Sequence, residues 1–307
     1  FAPRIAGTMT MWGMHHHRPR PRCPTVRPRY DHLTDLGTPN RICDQKRSLD
    51  WPGVKGVKVF NLDGRVALVT GAGQNVGAGI ARLLAGQGAA IAVNDLRPDR
   101  ATHTVERITA DGGRAVAVGF DVTDHEQVTR GVAQAELALG PVDILVNNAG
   151  SGGAEELVPM SFRDTDPASW RGPIDVNLFG VLHCCRAVIN GMEDRGWGRI
   201  ITISSGAATT GLDFGVSTYA AGKGGAISFM RHLAVESASK GVTANTLAIG
   251  LMGNPDPEIT AFLARRIPVG RTGEPDDVGH ACVYLASDEA AWMTGQTIQI
   301  NGGSNTT

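Results

Sequence analysis

The stretch Val66-Ala67-Leu68-Val69-Thr70-Gly71-Ala72-Gly73-Gln74-Asn75-Val76-Gly77-Ala78-Gly79-Ile80 decides how this 307-residue chain folds. A short β-branched run ends in a glycine-rich turn, and an amphipathic helical segment follows. Such a turn lets backbone N–H groups approach a pyrophosphate, which the positive end of the next helix also favours. The spacing is not G-x-G-x-x-G, because Val76 stands where the third glycine would be. Taken alone, the motif also reads as an ordinary tight turn.

The pattern around it repeats. Strands are predicted at 66–70, 90–94, 115–120, 144–147, 200–204, 243–247 and 297–300, and amphipathic helices at 77–87, 99–111, 125–139, 176–194, 218–239 and 275–286. Short apolar runs bounded by turns predict a sheet buried on both faces. Their alternation with helices predicts an α/β fold, a doubly wound parallel sheet of Rossmann-like kind, in one domain over 61–307.

Residues 1–60 are different. They hold eleven Lys/Arg against four Asp/Glu, leaving 18 and 26 for the rest, so a basic leader precedes an acidic body. The run Arg18-Pro19-Arg20-Pro21-Arg22 has neither helical nor strand periodicity. Three readings compete: a disordered extension, added where a start codon is placed too early; a targeting peptide, which would lack an apolar core and an amphipathic helix; and a basic arm for an acidic partner. The chain also opens on Phe1 rather than Met, as a truncated chain would. His15-His16-His17 in this leader reads as incidental, and no metal site is predicted.

An acidic body argues against a nucleic-acid groove in the folded part. The five cysteines are unevenly spaced without a CxxC, and Cys184-Cys185 lie in an apolar stretch as small buried hydrophobes. Nothing in that pattern suggests disulfides or secretion. No apolar run approaches the roughly 20 residues that span a bilayer. A cytoplasmic protein with neither nucleic-acid nor membrane partner is expected.

The chemistry concentrates in Ser217-Thr218-Tyr219-Ala220-Ala221-Gly222-Lys223. Residues four apart share a helix face, so Tyr219 and Lys223 would lie side by side. A free phenol has a pKa of about 10, and a shift of about three units corresponds to roughly 4 kcal/mol. An adjacent ammonium acting in that direction would make Tyr219 a proton donor and acceptor near neutral pH. A half-buried Tyr beside a solvated Lys is the plain alternative.

The glycine turn resembles the TGxxxGxG loop of the short-chain dehydrogenase/reductase family, and further motifs of that family follow in order. Asp121-Val122 follows the third strand, Asn147-Asn148-Ala149-Gly150 matches NNAG, and Tyr219 with Lys223 matches YxxxK. The tail, with Thr294-Gly295-Gln296 and Asn301-Gly302-Gly303, is also similar, and the resemblance covers about residues 62–304. It implies a nicotinamide-dependent oxidoreductase of secondary alcohols and ketones, with Asn177, Ser205, Tyr219 and Lys223 as its catalytic four. Tyr219 would carry the hydroxyl proton, and Lys223 would lower its pKa and hold the nicotinamide ribose. Ser205 would bind the substrate oxygen, with Ser204 as the rival serine, and Asn177 would anchor a water beside Lys223. The implied cofactor contacts are Gly71, Gly73, Gln74, Asn75, Val76, Gly77, Asp95, Asp121, Val122, Asn148, Ala149, Gly150 and Gly250, with Tyr219 and Lys223. A homo-oligomer, tetramer or dimer, is also implied. A cofactor-binding regulator without turnover, and an epimerase or dehydratase using bound NAD, are the alternatives.

Several residues depart from the family pattern. Asn75 takes the middle glycine position, which Asn tolerates because it adopts positive φ more readily than other side chains. Ile249-Gly250 replaces Pro-Gly, which would loosen that bend. Asn254 stands where a threonine often meets the nicotinamide. Gly172-Pro173 falls inside the Asn177 helix and predicts a break, with Asp166-Pro167 capping a first turn and a second helix starting near Asp175. Asp95, 24 residues beyond Gly71, would accept from the ribose hydroxyls and repel a 2′-phosphate, which favours NAD. Arg97 and Arg100 keep NADP open. The loops at 151–157, 207–216 and 251–259 should select the substrate. They suggest a mostly apolar pocket for an uncharged or acyl-type carbonyl, under a small lid.

Overall fold

A computed structural model describes residues 59–150, 158–253 and 256–306. The readings made for the leader, for the loop at 151–157 and for Asn254 lie outside these residues.

Seven strands form one parallel sheet: β1 (Val66–Val69), β2 (Ala90–Asp95), β3 (Ala115–Gly119), β4 (Ile144–Asn147), β5 (Gly198–Ser205), β6 (Val242–Ile249) and β7 (Thr297–Ile300), in the order β3-β2-β1-β4-β5-β6-β7. The chain builds outward from β1 to β3, then crosses back to place β4 on the other side of β1. That reversal opens a crevice beyond the carboxyl ends of β1 and β4, where ligands of open α/β sheets bind.

Both faces of the sheet are covered, as the apolar runs require. Along β1, Val66 and Leu68 enter one core with Leu139, Met192 and Met230, while Ala67 and Val69 enter the other with Ile80, Ile108 and Cys282. This is strand alternation with both sets buried. On the first face lie α3 (His125–Leu139), α5 (Gly180–Asp194) and α6 (Ser217–Ser237). On the other lie α1 (Asn75–Gly86), α2 (Pro98–Ala110) and α8 (Pro275–Ala286).

The expected break at Gly172-Pro173 does not occur. A 3₁₀ turn (Pro167–Trp170) leads into α4 (Arg171–Ile174), a π turn (Asp175–Phe179) and then α5, without interruption. Pro173 lies in the first turn of α4, where a missing N–H costs little because such groups have no partner within the helix. Asp166 caps the start as expected, accepting from Ala168 N at 2.9 Å. By length and composition this Pro167–Asp194 rod is apolar enough to cross a membrane, which a search for an unbroken apolar run overlooks. Here Val181, Cys184, Cys185, Val188 and Met192 turn its apolar face into the core.

Two further corrections concern the region after β6. Ile249 does not loosen the bend: it extends β6, paired with Ser205 on one side and Ile300 on the other. The loop read over 251–259 contains the start of a helix, α7 (Pro257–Ala264). Asp256 caps it, accepting from Glu258 N at 2.8 Å, with Pro257 at its first position.

Leu145 on central β4 is fully buried, so Leu145→Ala should lower unfolding stability by about 2–5 kcal/mol. Val235 on α6 is 81% exposed, and Val235→Ala should change stability by no more than about 0.5 kcal/mol in the same urea titrations.

Candidate active site

Three polar side chains hold the carboxyl ends of the central strands together. Thr70 Oγ1 accepts from Asn148 N and Ala149 N, each at 3.0 Å. Asn148 Nδ2 donates back to Thr70 O and Gly71 O at 2.9 Å. Asn94 donates to Val118 O and Phe120 O at 3.1 and 3.0 Å, and its Oδ1 accepts from Gly71 N at 3.4 Å. The sequence reading places Thr70 at the end of a strand and the head of the TGxxxGxG turn, and Asn94 in a strand, with no bonding role for either. Their signal was present: each is a polar residue ending an otherwise apolar run.

The glycine turn hangs from these bonds. Gly71 and Asn75 adopt φ of 59° and 47°, so Asn75 takes the conformation expected of it. Gly73 N donates to Asp95 Oδ2 at 3.0 Å, and a Cβ at Gly73 would stand 2.5 Å from that oxygen. Gly77 is as crowded, with the Gly71 carbonyl 2.3 Å from where a Cβ would lie. Gln74 begins α1 without a side-chain cap, and Val76 lies in its first turn. The amides there fit an anionic phosphate. The buried carboxylate of Asp95, at the end of β2, also accepts from Arg97 N at 2.9 Å.

Four elements bring the other residues together. Ser205 ends β5, and its Oγ accepts from Ala207 N at 3.2 Å. The same hydroxyl lies near enough to that of Tyr219, one turn before Lys223 on α6, to lower its pKa. The rival Ser204 is buried and donates to Lys223 O at 3.3 Å, a structural role. Lys223 is 5% exposed, with Nζ donating to Ile203 O at 2.7 Å and lying 6.0 Å from the Tyr219 ring centroid. Asn177 is fully buried in the π turn, where Nδ2 donates to Pro173 O at 2.8 Å. A Cβ at Gly150 would stand 2.7 Å from Asn177 Oδ1 and 2.9 Å from Lys223 Nζ, so both converge on the chain leaving β4.

The electrostatics differ from expectation. Burial pushes the Tyr219 hydroxyl above its ordinary value, partly offset by the Ser205 hydrogen bond. Burial also pulls the Lys223 ammonium down to about 8. The amine does not lower the phenol here, because the shared dry environment penalises both charges and Nζ is turned to Ile203 O.

Some residues predicted as cofactor contacts also make bonds within the scaffold. The Val122 side chain belongs to the core, while its carbonyl meets His183 Nδ1 at 3.0 Å. The Asp121 carboxylate accepts from Thr123 N and Oγ1, each at 2.8 Å. Gly250 N donates to Ile300 O at 2.9 Å at the crevice edge. At the start of α6, where Ser217 and Ala220 flank Tyr219 in sequence, lies a cavity of about 570 Å³ walled by Met160, Phe162, Leu212 and Phe214.

A family model described as enoyl-(acyl carrier protein) reductase matches residues 71–305. Acetoacetyl-CoA reductase of Shinella zoogloeoides is 38% identical over 245 residues, covering 78% of this chain and 98% of its own. The chain belongs to the short-chain dehydrogenase/reductase family. Like other members, it is a nicotinamide-dependent oxidoreductase that interconverts CH–OH groups and carbonyls. Among solved members, gluconate 5-dehydrogenase from Burkholderia cenocepacia, in complex with NADP and tartrate, has a TM-score of 0.73 at 34% identity, covering 80% of this chain and 96% of its own. A 3-oxoacyl-[acyl-carrier protein] reductase with bound NAD from Brucella melitensis has a TM-score of 0.75 at 31% identity, covering 81% and 94%.

Lys223 loses its proton at about pH 8 in the folded protein, against 10.5 ordinarily. Between these values the unfolded chain binds the extra proton, so this group's contribution to stability rises with pH. Lys223→Met removes that slope. In paired urea titrations, the stability of the variant minus that of wild type should fall as pH rises from 8 toward 10.5. A constant or rising difference would contradict the burial effect.

Proposed function

We propose that Tyr219 exchanges the hydroxyl proton with a secondary alcohol or ketone, and that Ser205 holds the substrate oxygen beside it. The observation that carries this reading is the Ser205–Tyr219 hydroxyl pair next to buried Lys223 and Asn177. Bound nicotinamide dinucleotide supplies or takes up the hydride. Gly71, Gly73 and Gly77, with the first turn of α1, would hold its phosphates. Gly150, Ala149 and Lys223 would border the nicotinamide ribose. With its pKa raised, the Tyr219 phenol keeps its proton at neutral pH, the form that donates to a ketone. Asn177 would hold a water that links Lys223 to solvent.

Asp95 supports NAD as the preferred cofactor, because its buried carboxylate closes the β2 end of the crevice. Arg97, which could have offset a 2′-phosphate, pairs instead with Asp99 at 3.1 Å. The apolar wall of Met160, Phe162, Leu212 and Phe214, with Asp213 the one charged residue among the described residues lining the cavity, supports an uncharged substrate body. The two relatives that reduce acetoacetyl-CoA and 3-oxoacyl chains, by their names, support an acyl-type carbonyl. The reading also takes residues 61–307 as the catalytic domain, working in a cytoplasmic homo-oligomer.

Two outcomes test the proposal. Tyr219→Phe should abolish turnover across a panel of apolar secondary alcohols and ketones while NADH still binds, measured by fluorescence. Retained turnover, or loss of NADH binding, would contradict the role. At equal concentrations, NAD should support faster turnover than NADP. A tenfold preference for NADP, about 1.4 kcal/mol in the other direction, removes the cofactor assignment.

A further inference from the structure

The rod meets α6 at Gly222, the residue immediately before Lys223. A Cβ at Gly222 would stand 2.9 Å from Pro173 O and 3.1 Å from Asn177 Cβ. The nearer atom is backbone and cannot swing aside as a side chain would. Gly224, two residues further along α6, meets only Ala208 O at 3.9 Å, an ordinary contact.

The crowding comes from the end of α4 and from the π turn after it, which is wider than an α turn and is a common device at functional sites. That turn begins two residues after Pro173, whose carbonyl accepts from Asn177 Nδ2 at 2.8 Å. That bond sets the orientation of the amide, with Oδ1 on the side of Gly150 and Lys223 Nζ. The rod can deliver Asn177 to this position only because α6 has no side-chain atom where Pro173 O lies.

We propose that Gly222 is a positioning residue: its missing side chain lets the Pro173 carbonyl seat against α6 and thereby sets the separation of Asn177 and Lys223. This rests on the roles proposed above for those two residues. Neither Gly222 nor Pro173 touches the reacting atoms.

The test compares Gly222→Ala with Gly224→Ala in the full chain, with cofactor and an active substrate. Both add one methyl to α6 and raise its helix propensity, so Gly224→Ala controls for propensity, and the split between kcat and KM separates positioning from general destabilisation. Gly222→Ala should lose at least about tenfold in kcat, with the KM for the dinucleotide changed less than about threefold. In cofactor-free protein it should also speed amide hydrogen exchange over 174–179. Gly224→Ala should match wild type in every measurement. Wild-type kcat and exchange in Gly222→Ala, or equal damage in both variants, overturns the proposal. Asn177→Ala, which removes the amide that the Pro173 carbonyl holds, should give the same kcat-selective loss. Wild-type kcat from that variant overturns the proposal even if Gly222→Ala does not fold. Tyr219→Phe run alongside separates the two readings. If it turns over, the site assignment fails whatever Gly222 does; if it is inactive while Gly222→Ala works normally, only the positioning role fails.

Discussion

The hydroxyl of Thr70 and the amides of Asn94 and Asn148 are the constraint on which the rest of the molecule depends. Four strands end at one place, and each leaves backbone groups that would be costly to bury unpaired. These three side chains supply the partners: they bond the ends of β1, β3 and β4 and the first glycine of the turn. The glycine turn, the start of α1 and the approach of Gly150 to Lys223 all follow from where that network fixes the chain. A sheet held only by its apolar faces would leave the strand ends free to fray, and the crevice would have no fixed floor.

Burial sets the electrostatics of the site. At an effective dielectric of about 20, unit charges about 6 Å apart interact by about 3 kcal/mol, enough to move a phenol by about two pKa units. That interaction requires a charged amine. Lys223 sits where its own proton is held only to about pH 8, and Nζ is directed at Ile203 O. The same dry surroundings that would sharpen the attraction also weaken its source. Tyr219 is consequently a hydrogen-bonded acid in the protein as it stands, with Ser205 as the partner that moderates its pKa.

Much of the architecture was legible because strand and helix periods differ. The start of β4 and the ends of α3 and α8 can be read from apolar spacing alone, since each is buried on a regular face. Boundaries failed where pairing outweighed pattern, as in β5, which runs on through Arg199 and Ser205, and β6, which runs on to Ile249, because both edges are bonded. Pro173 misled because its cost depends on its place in the helix, and the preceding 3₁₀ turn that put it in a first turn carried no periodic signal. The start of α7 could have been found from Asp256-Pro257, a cap followed by a first-position proline. The converging site residues were legible as motifs, whereas their protonation was not, because desolvation belongs to the folded state.

The two oxygens of Asp95 are occupied within the protein, one on the amide of Gly73 and one on the amide of Arg97. The residue best placed to discriminate between dinucleotides is therefore also a fastener of the loop that would receive them. Exchanging it to alter preference would unseat that loop at the same stroke. In any lineage descended from this chain, a switch of coenzyme would have to arrive together with a new anchor for the amide of Gly73, so that selectivity and scaffold are inherited as one trait.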